Sequence, residues 1–480
     1  MSIGLDMVKR AAPFAVRYNT DSIMDVFSGR WQSGLKGETI INGGIATFTG
    51  AVAGPNMYKS TILASQQLMA LENYPEIHSI VYECEGTGEA LRWQELAMRT
   101  APNLAQSGLE DSDRLIMTNL EHYNGNEFWG MVKDIYKLRI KQKDKLYKES
   151  PFKLNNGAAL KVVPPIMIFI DSLSAFRPES MENIQNKGEI GDSSQNMLYM
   201  KGGIAKSQML DEAPAIMHRG GLFILATGQL GKKFDLGAGH TPDAEKLRHM
   251  ADNVEMKGVS RQFQYLPNNL FWIAKTKPLV IDGKTAAEKL PMYPTDQDLR
   301  LARDTDLMVM SVMNVRGKAG PSGMPLELIF SQREGFLKHL TDYHMIAKTK
   351  VDDGYYGMTS SGSGGSIRKL TFYPEVSVSR TTIREKLDTD SKLRRACQLT
   401  RDLLMLEYRF GAFEGLDELI CSPETLYESL RDKGYNWNEL LETRGYWTFD
   451  QYTHPVPYLS VVDLLKMRAG LYHPYWMKPL

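Results

Sequence analysis

The chain has 480 residues, of which 42% are hydrophobic and 24% charged, and its formal net charge at pH 7 is zero. This composition is typical of a globular protein with two or three domains, and it excludes a global field that draws the chain onto nucleic acid or anionic lipid. No apolar run approaches the roughly 20 residues that cross a bilayer. Three cysteines without metal-binding spacing favour a reducing compartment. We therefore expect a cytoplasmic protein with no membrane partner.

Short apolar segments alternate with helical patterns from about residue 40 to residue 330. The predicted strands are 44–50, 79–85, 113–119, 165–172, 221–229, 269–275, 306–314 and 325–331. Several of them are continuously apolar, as in strands that are buried on both faces of a parallel sheet. Helix-length segments separate the early strands, which predicts an α/β core with a mostly parallel central sheet. The last three strands lack intervening helices, which favours an antiparallel edge.

The composition changes to glycine and serine at 357–368, which is typical of a linker. A helical pattern follows at 391–410. We therefore predict a short N-terminal arm at 1–20, a core at 21–345, a linker at 346–368 and a C-terminal α+β domain at 369–480.

A candidate phosphate-binding loop lies at 53–61, with the sequence AGPNMYKST. A lysine and a serine at the start of a helix, after a strand and a turn, suit the binding of phosphate and magnesium. Ala53 and Tyr58 stand where such loops have glycine, so we expect Tyr58 to fit only with ordinary backbone angles. The alternative is a strand–turn–helix corner with a solvated lysine. The candidate nucleotide-binding residues here are Gly54, Pro55, Asn56, Met57, Tyr58, Lys59, Ser60 and Thr61.

Two further strands end in carboxylates. Asp171 closes the strand at 165–172, where it could hold a magnesium-bound water while the Ser60 hydroxyl binds the magnesium directly. Glu83 and Glu85 close the strand at 79–85, and Glu85 is the candidate that orients an attacking water. The alternatives are an aspartate that caps a buried strand and a pair of exposed acids.

The segment GEIGDS, which follows this aspartate, resembles the first DNA-binding loop of RecA-type recombinases. The bulky residue before Lys59 resembles the UvsX-like recombinases of bacteriophages within that family. The resemblance covers roughly 20–345 and includes Asp25 near the start of the core. It implies a RecA-like P-loop ATPase core, ATP and Mg²⁺ as cofactors, and the cytoplasm of a bacterial host as location if a phage encodes the chain.

The same resemblance implies site residues. Glu85 becomes the catalytic glutamate, Gln229 the sensor of the γ-phosphate, and Arg316 and Lys318 the cations that reach a neighbouring subunit's ATP. Trp93 lies in the region of the adenine-stacking aromatic. The implied DNA-binding residues are Gly188, Glu189, Ile190, Gly191, Asp192 and Ser193 of the first loop, with Lys201, Lys206, Lys232, Lys233, Arg248, Lys257 and Arg261 beyond it.

The implied function is DNA recombination and repair by a DNA-dependent ATPase. The protein would form a helical homo-oligomeric filament on single-stranded DNA and pair it with homologous duplex DNA. A single-strand-binding protein and a loader would be further partners. Phe263 and Tyr265, in a second DNA loop at about 230–268, could stack on bases. The alternatives are a hexameric helicase of the same fold and a filament or DNA-binding scaffold that does not hydrolyse ATP.

Overall fold

The structure is a computed structural model that describes residues 12–86, 89–109, 113–185, 196–232, 249–250, 254–281, 290–295, 306–352 and 354–478, with backbone alone at 185 and 196–200. Its strands are β1 (Arg30–Ser33), β2 (Thr39–Asn42), β3 (Phe48–Ala53), β4 (His78–Glu83), β5 (Leu115–Asn119), β6 (Lys148–Lys153), β7 (Ala159–Val162), β8 (Ile166–Asp171), β9 (Leu222–Lys232), β10 (Val254–Lys257), β11 (Asn269–Pro278), β12 (Leu307–Gly317), β13 (Pro325–Ser331), β14 (Gly335–Phe336), β15 (Lys350–Val351), β16 (Gly354–Tyr355), β17 (Met358–Ser361), β18 (Ile367–Leu370) and β19 (Tyr373–Ser379).

The helices are α1 (Ile23–Ser28), α2 (Lys59–Asn73), α3 (Ala90–Thr100), α4 (Pro102–Gln106), α5 (Gly125–Leu146), α6 (Glu179–Gln185), α7 (Asn196–Gly220), α8 (Lys338–Lys348), α9 (Ile383–Thr389), α10 (Ser391–Glu407), α11 (Leu416–Leu419), α12 (Pro423–Asp432), α13 (Trp437–Leu440) and α14 (Val461–Arg468). Short 3-10 turns lie at Arg261–Gln264 and Ser363–Gly365.

Among the described residues, the central sheet has ten strands in the order β14-β13-β12-β11-β3-β9-β8-β4-β5, with β10 paired to β9. Every pair from β11 to β5 is parallel, whereas the pairs from β11 to β14 are antiparallel. The prediction of a mixed α/β core with a mostly parallel sheet and an antiparallel edge is therefore confirmed. Each predicted strand is present, although the first begins later than expected, at Phe48.

Helices cover both faces of the parallel part. On β8, Ile168 and Ile170 belong to a buried cluster that includes residues of α5 and α7. Met167 and Phe169 alternate with them and belong to the cluster on the other face, which includes residues of α2 and α3. Burial on both faces explains why these strands are continuously apolar.

The segment 346–368 is not the unstructured linker that its glycine and serine content predicts. It contributes β15–β18 to a five-stranded antiparallel sheet that ends in β19. Beyond that sheet the chain is largely helical, and Trp447 is fully buried against Tyr18 and Tyr74 from the first part of the chain. The division of the chain into domains stays a prediction.

Within the described part of the chain, no helix has the length and apolar character that a membrane crossing requires.

Candidate active site

The candidate phosphate loop connects β3 to α2, and its backbone differs from our expectation. Tyr58, directly before the helix, has φ 58° and ψ 27°, and Asn56 has φ 56°. Our expectation of ordinary angles at Tyr58 is therefore wrong, because this tyrosine adopts the left-handed conformation that favours glycine. Such a conformation costs about 1–2 kcal/mol for a residue with a Cβ atom. Strained backbone of this kind is concentrated at functional sites.

Lys59 and Ser60 begin α2 and face the carboxylates that the sequence singled out. The Lys59 Nζ atom lies 3.9 Å from Glu85 Oε1, and the two side chains are 13% and 33% exposed. The Ser172 hydroxyl donates to the same Glu85 oxygen at 2.7 Å. Glu85 is therefore oriented toward the phosphate loop from the end of β4.

Asp171, the last residue of β8, accepts two hydroxyl hydrogen bonds at one oxygen. Ser60 Oγ donates to Asp171 Oδ1 at 2.9 Å, and Thr227 Oγ1 donates to it at 2.5 Å. Burial raises the pKa of the Asp171 carboxyl, and the two hydroxyl bonds and Lys59 oppose that shift. A bound cation would favour the ionised form for the same electrostatic reason as Lys59.

The second predicted carboxylate of β4 has a structural role. Glu83 accepts hydrogen bonds from the backbone N–H groups of Glu85 and Gly86, at 2.7 and 2.8 Å. The Cys84 N–H donates to the Asp171 carbonyl at 2.7 Å, which joins the ends of β4 and β8. Glu83 therefore fixes the turn on which Glu85 lies.

These residues fit the predicted cofactors. The Ser60 hydroxyl and the Asp171 carboxylate supply hard oxygen ligands, which Mg²⁺ prefers. The first N–H groups of α2 have no partner within the helix and can bind an anion beside Lys59. Bound there, Mg²⁺ would neutralise phosphate charge, while Glu85 could hold a water molecule as a hydrogen-bond acceptor. Of the other loop residues, Gly54, Pro55, Asn56 and Met57 lie between β3 and α2, with Pro55 and Asn56 exposed, and Thr61 lies in the first turn of α2.

Gln229 lies beside the phosphate loop, because it pairs with Ala53 in the register of β9 and β3. Its N–H donates to Ser174 Oγ at 2.9 Å, and that hydroxyl donates to the Lys257 carbonyl at 2.8 Å. The predicted second loop does not begin at Gln229. Instead, β9 continues to Lys232 and pairs with β10, so that the base of this segment is a hairpin.

Arg316 and Lys318 lie near the amino ends of the parallel strands, whereas the phosphate loop lies at their carboxyl ends. The register joins Gly317 to Asn269 and Asn269 to Thr49, whereas the phosphate loop follows Ala53. Four residues of strand correspond to roughly 13 Å. Arg316 Nε donates to the Pro267 carbonyl at 3.1 Å, and Lys318 is exposed. These cations are therefore not brought to the phosphate loop of their own chain.

Trp93 does not fit the predicted adenine contact. Its side chain is 8% exposed, belongs to the core and packs edge-on against Phe169 at 5.7 Å. Phe263, expected to stack on bases, is also a core residue, because its ring is fully buried and packs against Phe48. Gly50 and Gly228 make room for that ring, since a Cβ atom at either position would meet it within 3.0 Å.

Lys206 is not the DNA-binding surface residue that we expected. It is 5% exposed and donates to the carbonyls of Ser174 and Gly258, at 3.1 and 2.7 Å. Burial lowers the pKa of its ammonium to about 8. Lys206 therefore connects α7, the chain after β8 and the turn after β10.

The remaining predicted DNA contacts are placed in part. Lys201, Lys232 and Arg261 are exposed, Tyr265 is 48% exposed, and Lys257 is half-buried and paired with Glu255. The predicted residues outside the described part of the chain are Gly188, Glu189, Ile190, Gly191, Asp192, Ser193, Lys233 and Arg248.

Sequence reasoning missed the hydroxyl groups that support the carboxylates. Ser172 follows Asp171 directly, and Thr227 lies two residues before Gln229 in a strand whose end was already assigned to the site. Their position at the ends of adjacent strands was the available signal. No protein-family model matches the chain, and no curated protein matches it either.

Proposed function

We propose that the chain is an ATP-dependent homologous recombinase of the RecA type. It forms a helical filament on single-stranded DNA and promotes pairing and strand exchange with homologous duplex DNA. The observation that carries this proposal is the meeting of Lys59, Ser60, Glu85 and Asp171 at one edge of the parallel sheet. The GEIGDS segment supports DNA as the partner through its resemblance to a DNA-binding loop.

In this proposal the phosphates of ATP bind Lys59 and the first amides of α2. Glu85, oriented by Ser172, holds the attacking water as a hydrogen-bond acceptor. Phosphoryl transfer depends mainly on such positioning and on charge stabilisation. Gln229, between the phosphate loop and the β9–β10 hairpin, couples the nucleotide to the DNA-binding segment, so that each ligand favours binding of the other.

Arg316 and Lys318 serve the ATP of the neighbouring subunit in this proposal. Their distance from the phosphate loop of their own chain supports a role across a subunit interface. A head-to-tail interface that does not close generates an open helical filament. Hydrolysis should then rise cooperatively with protein concentration when single-stranded DNA is present.

A mixing experiment tests both parts of the proposal. Glu85→Gln removes the water-orienting acid but keeps the cations, whereas the double variant Arg316→Ala and Lys318→Ala keeps Glu85. Each protein alone should hydrolyse ATP slowly with single-stranded DNA, and their mixture should recover activity. A Lys153→Ala variant, changed at an exposed lysine of β6, serves as a control with normal activity.

Failure has three distinct forms. If wild type with DNA hydrolyses ATP no faster than Lys59→Ala, the non-hydrolysing scaffold replaces the ATPase. If wild type is active but the mixture only sums its components, the trans role of the cations is wrong. Closed rings rather than filaments in electron micrographs would favour the helicase.

A further inference from the structure

A cavity of about 650 Å³ lies between the antiparallel edge of the main sheet, α8 and the five-stranded sheet. Its size is within the range of about 300–1,000 Å³ that is typical of small-molecule sites. Buried side chains form its floor, including Leu279, Val309, Tyr293 and Tyr343. The two tyrosine rings pack edge-to-face at 6.0 Å, so the floor is apolar and rigid.

Positive charge dominates the rim of this cavity. Among the described residues of the lining, the charged ones are Lys277, Lys348, Arg368 and Arg380, with Glu327 as the single carboxylate. Lys348 Nζ lies 2.5 Å from Glu327 Oε2, so that pair offsets one positive charge. Burial lowers the pKa of His344 to about 4, and its Nδ1 atom forms a hydrogen bond with the Tyr293 hydroxyl. The imidazole is therefore neutral at pH 7, and the excess positive charge comes from the rim.

The glycine-rich stretch that the sequence suggested as a linker reaches the mouth of this cavity. Gly364, Gly365 and Ser366 belong to the lining. Gly364 and Gly365 have φ values of 64° and 69°, and a Cβ atom at Gly364 would meet no atom within 4 Å. The Gly365 N–H donates to the Gly362 carbonyl at 3.2 Å, which closes the turn, and the absence of a side chain at Gly364 leaves the backbone open to close approach by a ligand.

The basic rim, the glycine turn and the tyrosine floor together suit a ligand with one anionic and one flat apolar end. We propose that this cavity is a second ligand site, which binds a free nucleotide or a phosphate ester of similar size. The phosphate groups contact Lys277, Arg368 and the turn, and the base lies on the tyrosine floor. None of its lining residues belongs to the phosphate loop, so the proposal does not depend on the proposed function.

Equilibrium binding of ADP, measured without DNA, tests the second site. The proteins are wild type, Lys59→Ala, Lys277→Glu and the double variant that combines Lys59→Ala with Lys277→Glu. Lys277 is exposed at the rim, so its reversal should weaken binding in the cavity by about tenfold or more without a change in the fold. Wild type should bind two ADP molecules per chain, each single variant one, and the double variant none.

Two further variants control for indirect effects. Ser366→Asp adds a negative charge at the exposed turn and should reproduce the loss caused by Lys277→Glu. Lys153→Glu makes the same charge change on β6, away from the cavity lining, and should bind two ADP molecules like wild type. Agreement of both controls with these expectations assigns the second molecule to the cavity.

The outcomes separate the two proposals. If Lys59→Ala abolishes all binding, or if Lys277→Glu leaves the second molecule unaffected, the cavity proposal is overturned. If wild type binds one molecule and Lys277→Glu alone removes it, the cavity proposal stands and the phosphate loop fails as a nucleotide site.

Discussion

Two polar clusters lie near the carboxyl edge of the parallel sheet, and each contains a lysine. In the phosphate-loop cluster (Lys59, Ser60, Glu85 and Asp171), side chains contact side chains, and the Lys59–Glu85 separation is 3.9 Å. In the loop anchor (Ser174, Lys206 and Gly258), the lysine donates to two main-chain carbonyls and is 5% exposed.

The two clusters differ in the features that distinguish a lysine available to a ligand from a structural lysine. Contacts between partly exposed side chains can exchange for contacts with a ligand at small cost. A buried ammonium bonded to carbonyls cannot leave without exposing unsatisfied acceptors, which costs about 1–3 kcal/mol for each group. Partner type and burial, rather than residue type, therefore distinguish the two roles.

The largest expected effect comes from the phosphate-loop cluster. Glu85→Gln should lower the turnover number for ATP by about 100-fold or more, because an amide is a poor acceptor for the proton of the attacking water. Nucleotide binding, measured by equilibrium dialysis, should change little. Glu83→Gln is the matched control: it should disturb the turn and lower turnover less. Equal losses in both variants would contradict the separate roles of the two acids.

The loop anchor should instead respond in stability. Lys206→Met keeps the length of the side chain but leaves two carbonyls without a donor, so the free energy of unfolding should fall by about 2–6 kcal/mol, which is about 1–3 kcal/mol for each carbonyl. Urea denaturation measures this change. Lys201→Met, at an exposed position of the same helix, should stay within about 0.5 kcal/mol of wild type. A larger effect at Lys201 than at Lys206 would reverse the assignment.

The depressed pKa of Lys206 also predicts a pH dependence. Its pKa is lowered from 10.5 to about 8 by burial, so between these values the unfolded chain binds more protons than the folded one. The free energy of unfolding should therefore rise as pH increases from about 8 toward 10.5. The difference between wild type and Lys206→Met isolates this contribution from other groups that titrate. If the free energy of unfolding of wild type, minus that of Lys206→Met, decreases as the pH rises from about 8 to 10.5, this prediction is contradicted.

The strands of the core and the direction of most of them could be predicted from the sequence. Continuous apolar segments predicted the strands, and the absence of helical patterns between the last three of them predicted the antiparallel edge, because both features follow from local pattern. The same pattern predicted which strand ends carry Glu85 and Asp171. Parallel strands share one carboxyl edge, so these residues were expected to meet.

Burial of individual side chains was less predictable. Trp93, Phe263 and Lys206 are of residue types that often contact ligands, but tertiary packing places all three inside the protein. The glycine and serine residues at 357–368 predict flexibility by composition, yet antiparallel pairing of β17 with β18 and of β18 with β19 orders them. Neither the burial of a side chain nor the pairing of a strand follows from residue composition alone.

A smaller effect should follow from the hydroxyl group of Thr227. Thr227→Val removes the hydrogen bond to Asp171 at nearly constant volume, so the carboxylate loses a charge-assisted contact of about 1.5–3 kcal/mol. The Mg²⁺ concentration that half-saturates ATP hydrolysis should rise several-fold while maximal turnover changes less. Thr227→Ser keeps the hydroxyl and should behave like wild type. A fall in turnover at saturating Mg²⁺, with no change in the Mg²⁺ requirement, would show that Thr227 does not act through Asp171.

The smallest effect concerns the strain at Tyr58. Its ring is half-buried against the core, so removal of the ring costs stability in any variant, and two truncated residues should be compared. Tyr58 is the N-cap of α2, a position at which glycine is preferred over alanine by roughly 0.5–1 kcal/mol even when the backbone is extended. At φ 58° this preference should grow by about 1–2 kcal/mol, because alanine is strained in the left-handed region and glycine is not. The free energy of unfolding of Tyr58→Gly should therefore exceed that of Tyr58→Ala by about 2 kcal/mol in urea denaturation, and a difference below about 1 kcal/mol would mean that the phosphate loop does not hold this conformation in solution.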